Sequence, residues 1–377
     1  MQKIKFRFKG DHVDSFAELG KLRAVFLDLT NLCNLSCRYC FNHRARQAPP
    51  SHLGLDLIEK ALRSKVAAPV KDWFFSGGEP VLYHQLSGAL KLFRDHGIGP
   101  KIATNGTNLT PDIIDAWVRS GVRSVQFSLD TLKPDRHAYL NGGNEQDHET
   151  LLRNLEHAVR SPLRVVVSSV LTELNKREIR DIMAYCFASG VDSYTLYPDV
   201  PSEPLNKELI VAFPELLELT DDLISVYISL CPTRIIDITI PCFSDTPAYA
   251  KWKDHLAIRL HSCAAAQYAL KITSKGRVSA CICQASDPFI IGDLRRESLD
   301  EIWASEKARE FRSLYKQIPE CAACAKNDVC RGGCRNNASL FGAKGVYSLD
   351  PYCRFLGSRM NRKKSRPGDE EETSPVV

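Results

Sequence analysis

The sequence predicts an α/β fold built on a parallel sheet, followed by a small cysteine-rich unit. Two observations support this prediction. From residue 23 to about residue 205, short apolar segments alternate with amphipathic segments, and most of the 14 cysteines in the 377-residue chain fall in two groups. Strands that alternate with helices form parallel sheets, because each crossover between parallel strands needs a connecting segment such as a helix. An open doubly wound sheet and a barrel-like closure both fit such a series.

The alternating region is predicted to contain six strands and five helices. The predicted strands are Arg23–Leu29, Trp73–Phe75, Lys101–Thr104, Val122–Leu129, Arg164–Leu171 and Asp192–Tyr197. The predicted helices are Leu55–Ser64, Tyr83–His96, Pro111–Ser120, His148–Arg160 and Lys176–Ser189. The fifth strand is rich in β-branched residues, Pro111 suits a first helical turn, and Gly190 ends the last helix.

The rest of the chain is predicted to divide into four parts. Residues 1–22 form a polar lead, and residues 206–255 form a bridge whose helical stretch is Leu205–Ser229. Residues 256–357 form the cysteine-rich unit, with short strands and a helix near Ser298–Tyr315. Residues 358–377 hold five basic and then four acidic side chains, which predicts a disordered charged tail.

Composition limits the function classes. Net charge is +5, from 50 Lys and Arg against 45 Asp and Glu, which is too mild for a nucleic-acid-binding field. We find no apolar run of the roughly 18 residues that a membrane helix needs. The start, MQKIKFRFKG, lacks the apolar centre of a signal peptide. We therefore expect a cytoplasmic protein without nucleic-acid or membrane partners, in which clustered cysteines bind metal or iron–sulfur groups.

The first cysteine group directly follows the first predicted strand. Cys33, Cys37 and Cys40 have the spacing C-x3-C-x2-C, which places three thiols on one loop at the functional end of the sheet. Three thiolates can hold three corners of a [4Fe–4S] cluster and leave the fourth iron open. A zinc site that shares a distant fourth ligand, or a disulfide, is the alternative interpretation.

This pattern resembles the radical S-adenosylmethionine (SAM) superfamily. Three further motifs follow the next three strands, as they do in that superfamily: Ser76–Pro80 (SGGEP), Ala103–Gly106 (ATNG) and Ser128–Asp130 (SLD). The resemblance implies a partial (β/α)6 TIM-like barrel over residues 23–205. It also implies reductive cleavage of SAM to a 5′-deoxyadenosyl radical, which abstracts a hydrogen atom from the substrate.

The resemblance also implies which residues contact SAM. Tyr39 would pack against adenine, the backbone of Gly77 and Gly78 with the Glu79 carboxylate would hold the ammonium group, and Asn105, Ser128 and Ser168 would bind ribose or carboxylate. Two of these assignments have a simpler structural interpretation. The two glycines could form an ordinary strand-to-helix turn, and Tyr39 could be a core aromatic.

The second cysteine group resembles the SPASM extension of radical SAM enzymes. Its spacing is C-x12-G-x4-C, then C-x2-C-x5-C-x3-C, then a final cysteine. The resemblance implies a small α+β domain with two auxiliary [4Fe–4S] clusters. The implied ligands are Cys321, Cys324, Cys330 and Cys353 for an outer cluster, and Cys263, Cys281 and Cys334 for an inner cluster. Structural zinc is the alternative.

The fourth position of the inner cluster is left open by the sequence. Relatives with a fully liganded inner cluster carry a further cysteine shortly after the first, but residues 264–270 read AAAQYAL here. Cys283 could substitute. We favour an open site slightly, because C-x-C places two ligands of one cluster very close together.

Three classes of function compete. The first is modification of a peptide by a crosslink, a thioether or an oxidation; the second is a radical oxidoreductase or epimerase acting on a sugar or aminoglycoside-like molecule. The third is a non-catalytic iron–sulfur or zinc scaffold. The short lead argues against a built-in leader-binding domain of ~80 residues, and Ile282 stands where sulfatase-maturating relatives carry Asp. We favour peptide modification with a flavodoxin or ferredoxin electron donor, and assign no general base.

Overall fold

A computed structural model describes residues 20–198, 208–230, 235–238, 247–252, 263–324 and 327–353. The charged tail predicted at 358–377 and most of the lead predicted at 1–22 lie outside these residues. Within them, no helix combines the length and apolar composition that a membrane span requires.

One mixed sheet runs through the molecule. Its strands are β1 (Ala24–Thr30), β2 (Asp72–Gly77), β3 (Lys101–Thr104), β4 (Ser124–Ser128), β5 (Arg164–Leu171), β6 (Ser193–Pro198), β7 (Ile235–Ile238), β8 (Ala269–Ile272), β9 (Arg277–Ser279) and β10 (Ile290–Asp293). Their spatial order is β10-β9-β8-β1-β2-β3-β4-β5-β6-β7. All pairs from β8 through β1 to β7 are parallel, and β8-β9 and β9-β10 are antiparallel. The sheet is therefore the parallel one that the alternating pattern predicts, extended by four strands.

Helices connect the parallel strands and continue into the cysteine-rich unit. They are α1 (His43–Gln47), α2 (Leu55–Leu62), α3 (Leu86–Asp95), α4 (Pro111–Arg119), α5 (Pro134–Asn141), α6 (Glu145–Arg160), α7 (Ile179–Ala188), α8 (Phe213–Leu230), α9 (Pro247–Trp252), α10 (Leu299–Ala304), α11 (Glu306–Ser313), α12 (Pro319–Ala322), α13 (Asn327–Cys330) and α14 (Arg335–Phe341). Short 3₁₀ helices supplement them, for example at Pro80–Leu82.

The core forms between the sheet and the helices. Alternate residues of β1, such as Val25 and Leu27, are fully buried and belong to one apolar cluster with the helix residues Ile58 and Phe93. Side chains alternate across a strand, so the intervening positions of β1 face the other side of the sheet. There Phe26 stacks on Phe74 of β2, with ring centroids 4.4 Å apart. This second face also carries Asp28 of β1 and Lys271 of β8, the ion pair described below.

Several predicted helices have different bounds in the structure, and two of them illustrate the reasons. The helix predicted at Leu205–Ser229 begins only at Phe213, followed by Pro214, a residue suited to a first turn because it lacks an N–H. The helix predicted near Ser298–Tyr315 is two helices, α10 and α11. Ser305 separates them, because its hydroxyl accepts the N–H of Ala308 at 3.1 Å and caps α11.

The sheet crosses the boundary predicted at residue 256. Strand β8, which belongs to the cysteine-rich unit, pairs with β1 from Ala24↔Ala269 to Leu27↔Ile272. The N–H groups of Arg23 and Ala24 also donate to the Tyr268 carbonyl, at 2.8 and 3.0 Å. The strand that leads into the first cysteine loop is thus hydrogen-bonded to the strand that opens the cysteine-rich unit.

Candidate metal centres

The first three cysteines lie together on the loop between β1 and α1. The Cys33, Cys37 and Cys40 side chains are half-buried. Burial raises the pKa of the Cys37 thiol, and repulsion from Cys40 and Cys33 raises that pKa further. The N–H of Cys40 donates to the Cys37 carbonyl at 3.2 Å. The structure therefore gathers the three thiols in one place, at the carboxyl end of the first strand.

Two asparagine amides point at the sulfurs of this loop. Asn105, just after β3, donates through Nδ2 to Sγ of Cys33 at 3.8 Å. Asn141, at the end of α5, donates through Nδ2 to Sγ of Cys37 at 3.6 Å. Hydrogen bonds to sulfur favour the thiolate form and tune iron–sulfur clusters. Three gathered thiols with amide donors to two of the sulfurs fit the donor set of a [4Fe–4S] cluster.

The two glycines of the SGGEP motif hold the cysteine loop itself. The N–H of Gly78 donates to the Thr30 carbonyl at 2.7 Å. A Cβ on Gly78 would lie 1.8 Å from the Leu32 carbonyl oxygen, and one on Gly77, at φ +121°, would lie 2.3 Å from the Thr30 carbonyl oxygen. The space that a side chain would fill is occupied by the loop backbone, so these glycines are needed for close backbone packing. Their contact with SAM stays a prediction.

Glu79 is directed into the protein. Its side chain is 1% exposed, and its carboxylate accepts the Thr104 hydroxyl at 2.8 Å and the Asn105 N–H at 2.8 Å. Burial raises the pKa of Glu79 to about 7, although the hydrogen bonds from Asn105, Thr104 and Val81 act in the opposite direction. The Glu79 carboxylate therefore links the SGGEP motif to the ATNG motif. Its contact with an ammonium group stays a prediction.

Tyr39 takes part in a buried polar network. Its hydroxyl donates to the Asp130 carboxylate and accepts the Asn141 amide at 2.7 Å. Asp130 also accepts the N–H of Val170 at 2.7 Å, which joins the ends of β4 and β5. Burial raises the pKa values of both Tyr39 and Asp130. The network fixes the ring beside Cys37, and stacking on adenine stays a prediction.

Ser128 and Ser168 lie opposite each other on β4 and β5. Ser128 is half-buried, whereas Ser168 is 6% exposed and its hydroxyl accepts the Gln126 amide at 3.1 Å. Together with Asn105 they occupy the carboxyl half of three neighbouring strands. The structure thus brings these predicted residues to one edge of the sheet, and the group that they bind stays a prediction.

A buried ion pair beside the cysteine loop was missed by the sequence reasoning. Lys271 of β8 is 1% exposed, and its Nζ lies 3.5 Å from Oδ2 of Asp28 on β1. Lys271 also donates to Oδ1 of Asn42 at 3.2 Å, and Asn42 donates to the Gly77 carbonyl at 2.9 Å. A charged residue inside each of two apolar strands, VFLDL and ALKI, is the pattern that could have indicated the pair. The pair links the cysteine-rich unit to the loop and to the SGGEP motif.

The four thiols that the resemblance assigns to an outer cluster are neighbours in the structure. Cys353 interacts electrostatically with three of them, and burial followed by repulsion from Cys330, Asp350, Cys321 and Cys324 raises the pKa of Cys353 to about 11. In the ranges that the model describes, no three Cys, His, Asp or Glu side chains converge as closely as a single metal ion requires. That these four thiols share one cluster stays a prediction.

The inner group contains one thiol more than its three implied members. Burial raises the pKa of Cys334, and repulsion from Cys263, Asp350 and Cys283 raises that pKa further. The pKa of Cys263 is likewise raised by burial and, more weakly, by Cys283. Cys281 forms a hydrogen bond with Cys283, which is the largest cause of its raised pKa. Four cysteines, including Cys283, are thus neighbours.

Buried side-chain hydrogen-bond donors without a partner follow Cys334 in the sequence, which fits a bound cluster. Arg335 is 4% exposed and Asn336 is 2% exposed, and both directly follow Cys334. Within the described residues, Nε and Nη2 of Arg335 and Nδ2 of Asn336 have no hydrogen-bond partner. Buried donors are costly when unsatisfied. Sulfide and thiolate acceptors of iron–sulfur clusters would satisfy them, and the Arg335 charge lowers the pKa of Cys263.

Two family models match the chain. Residues 27–186 match the radical SAM superfamily, and residues 263–325 match SPASM, described as an iron–sulfur cluster-binding domain. The tungsten-containing aldehyde ferredoxin oxidoreductase cofactor-modifying protein of Pyrococcus furiosus is 23% identical and covers 82% of this chain and 89% of its own length. The PqqA peptide cyclase of Xanthomonas euvesicatoria pv. vesicatoria is 25% identical, with 94% and 92% covered.

Solved structures share the fold. Streptococcus suis SuiB bound to S-adenosylmethionine superposes with a TM-score of 0.69 at 16% identity, over 89% of this chain and 78% of SuiB. Native anSMEcpe with bound AdoMet gives a TM-score of 0.69 at 18% identity, over 90% of this chain and 98% of that chain. With both family models matched in chain order and the cysteine sets assembled, the chain belongs to the radical SAM superfamily and carries a SPASM domain.

Proposed function

We propose that this chain is a radical SAM enzyme with one SAM-binding and two auxiliary [4Fe–4S] clusters, and that it modifies a peptide. One observation carries the proposal: the Cys33, Cys37 and Cys40 thiols are gathered at the carboxyl end of β1, next to Gly78 and Asn105 at the ends of β2 and β3. In barrel-like α/β folds this edge of the sheet carries the chemistry.

The bound groups supply the difficult chemistry. A cluster held by Cys33, Cys37 and Cys40 would supply one electron to cleave the S–C5′ bond of SAM, and SAM would supply the 5′-deoxyadenosyl radical that abstracts a hydrogen atom from the substrate. We propose a cytoplasmic flavodoxin or ferredoxin as the electron donor. Three thiols hold the first cluster and leave one position for SAM.

The protein's own residues position these groups. Gly78 and Glu79 fix the start of the cysteine loop through N–H donors to the Thr30 and Leu32 carbonyls, each at 2.7 Å. Asn105 donates to Sγ of Cys33. Because the Asn105 amide already points at this sulfur, it needs little reorganisation when the charge on the sulfur changes.

We propose that the C-terminal cysteines hold the auxiliary clusters as the family pattern implies. The outer ligands are Cys321, Cys324, Cys330 and Cys353, and the inner ligands include Cys263, Cys281 and Cys334. The corresponding units are residues 23–205 and 256–357, joined by 206–255. The electrostatic neighbours within each thiol set support this division of ligands.

A peptide is the substrate class that the relatives favour. Several similar proteins are named PqqA peptide cyclase, and one solved SuiB structure is bound to the precursor peptide SuiA. Two anSMEcpe structures also contain a peptide. Another relative is an AdoMet-dependent heme synthase, so the shared domains also serve other chemistry. The reaction that we propose on the peptide is a crosslink, a thioether or an oxidation.

The proposal is tested first by SAM cleavage. Anaerobically reconstituted protein with dithionite and SAM is expected to release 5′-deoxyadenosine, measured by liquid chromatography. A triple variant with Cys33→Ala, Cys37→Ala and Cys40→Ala should release none. Cys186→Ala is the matched control, because Cys186 is buried in α7 and belongs to none of the thiol sets. Cleavage by the triple variant would contradict the site assignment.

The substrate class needs a separate experiment. A deuterated cell extract, divided by size into a peptide fraction and a small-metabolite fraction, is incubated with the reconstituted enzyme and SAM. Hydrogen abstraction transfers deuterium into 5′-deoxyadenosine, which mass spectrometry detects. Deuterium from the peptide fraction supports peptide modification, whereas deuterium from the small-metabolite fraction alone would favour a sugar or aminoglycoside-like substrate.

A further inference from the structure

The turn that carries Cys281 and Cys283 presents both cysteines together. It follows β9, and the N–H of Cys283 donates to Sγ of Cys281 at 3.4 Å. The Ser279 hydroxyl accepts the N–H of Cys281 at 3.3 Å and donates to the Gln284 carbonyl at 2.6 Å. One buried hydroxyl therefore closes the turn around Cys281, Ile282 and Cys283.

The turn is anchored to the helix that follows Cys334. Gln284 is 8% exposed, and its amide donates to Oδ1 of Asn336 at 2.5 Å. Asn336 lies in the first turn of α14, which has Cys334 as its N-terminal cap residue. The C-x-C turn and the start of α14 are thus joined by a buried side-chain hydrogen bond, which brings Cys283 and Cys334 to the same space.

The remaining member of the group lies against the same core. Cys263 and Cys283 are half-buried and both pack against the apolar cluster that contains buried Cys281. Cys283 lies within electrostatic range of Cys263, Cys281 and Cys334. Each of the three implied ligands therefore has Cys283 as a neighbour.

The segment that holds a fourth cysteine in some relatives has another role here. Residues 264–270 form a tight turn in which the Ala264 carbonyl accepts the N–H groups of Gln267, Tyr268 and Ala269, at 3.1 to 3.2 Å. This turn leads directly into β8. This segment contains no thiol, whereas the C-x-C turn supplies the Cys283 thiol next to the three implied inner ligands.

From this geometry we infer that Cys283 is the fourth protein ligand of the inner auxiliary cluster, which closes that cluster to direct binding of substrate. The inference rests on the proposed function, because it presupposes that the C-terminal thiols bind clusters. It replaces the slight preference for an open site. Two thiolate ligands of a cubane lie farther apart than two hydrogen-bonded cysteine side chains do. Cluster binding therefore requires the Cys283 side chain to turn away from Cys281.

The test uses full-length protein without the first cluster. The parent carries Cys33→Ala, Cys37→Ala and Cys40→Ala, and about eight iron atoms are expected in its two auxiliary clusters. Isotopically labelled cyanide is added to the reduced protein, and hyperfine coupling to the label is measured by electron–nuclear double resonance. Cyanide binds only where an iron has a free coordination position, so no coupling is expected in the parent.

Removing the thiol should open the inner cluster. Adding Cys283→Ala to the parent is expected to produce coupling to the label, and adding Cys186→Ala, the matched control, is expected to produce none. Cys283→Ser keeps an oxygen ligand, and should retain the iron without coupling while shifting the resonance of one cluster. If Cys283→Ala loses the inner cluster, the spectrum of Cys283→Ser tests whether Cys283 is a ligand.

Three results would overturn the inference. Cyanide coupling in an iron-replete parent, or a Cys283→Ser spectrum identical to that of the parent, would show that Cys283 is not a ligand, with the proposed function intact. A parent that binds no iron after anaerobic reconstitution would overturn the proposed auxiliary clusters together with the inference.

Discussion

The substitution Gly78→Ala tests how the SGGEP motif supports the cysteine loop. The added Cβ would lie 1.8 Å from the carbonyl oxygen and 2.4 Å from the carbonyl carbon of Leu32. Both are backbone atoms, so relief requires the two segments to separate by about 1 Å. Overpacking of this kind costs about 1–3 kcal/mol. Loss of the two hydrogen bonds, from Gly78 to Thr30 and from Glu79 to Leu32, adds roughly 0.5–1.5 kcal/mol each.

We therefore expect Gly78→Ala to lower the free energy of unfolding by roughly 2–6 kcal/mol. Cys33 directly follows Leu32, so the variant should also lose the first cluster, or about four of the roughly twelve iron atoms in three clusters. Denaturant unfolding and iron analysis measure the two effects. Gly88→Ala is the matched control, because its Cβ would meet only the flexible Leu55 side chain, at 2.8 Å. A Gly78→Ala protein with normal stability and full iron content would refute the reasoning.

Two further substitutions address buried charge. The pKa of Glu79 is raised from 4.5 to about 7, so its contribution to stability is complete below pH 4.5 and is lost as pH rises through 7. The free energy of unfolding of the wild type should therefore fall between pH 4.5 and about 7, by on the order of 1 kcal/mol per pH unit. Glu79→Gln should lack this slope, and equal slopes in denaturant unfolding would contradict the assignment. Lys271→Met leaves Asp28 buried without its cation, which should cost about 3–5 kcal/mol in denaturant unfolding. Adding Asp28→Asn should recover most of that loss, and a double variant as unstable as Lys271→Met would show that the pair is not coupled.

Much of the fold was predictable because the local patterns agree with the tertiary structure. The predicted bounds of Lys101–Thr104 and Arg164–Leu171 are those of β3 and β5. Errors arose where capping decides a boundary. Helix α6 begins three residues before His148, because Asn144 and Asp147 form a capping box.

The strand order beyond β1 was not predictable from local pattern. Nothing in the segment ALKI shows that it pairs with β1, since pairing between distant strands depends on the whole fold. The resemblance to the SPASM pattern implied the two C-terminal ligand sets, and the members of each set are neighbours in the structure. This resemblance could not place Cys283, whose relation to Cys334 depends on a side-chain hydrogen bond between Gln284 and Asn336.

The pairing of β8 with β1 has a consequence for engineering. A chimera that grafts the SPASM unit onto a foreign barrel would have to transplant an interior strand, since β8 has β1 on one side and β9 on the other. A hinge between the two cluster-bearing parts would break the backbone ladder from Ala24↔Ala269 to Leu27↔Ile272. Electron tunnelling between the first and inner centres would therefore occur over a span held constant by that ladder.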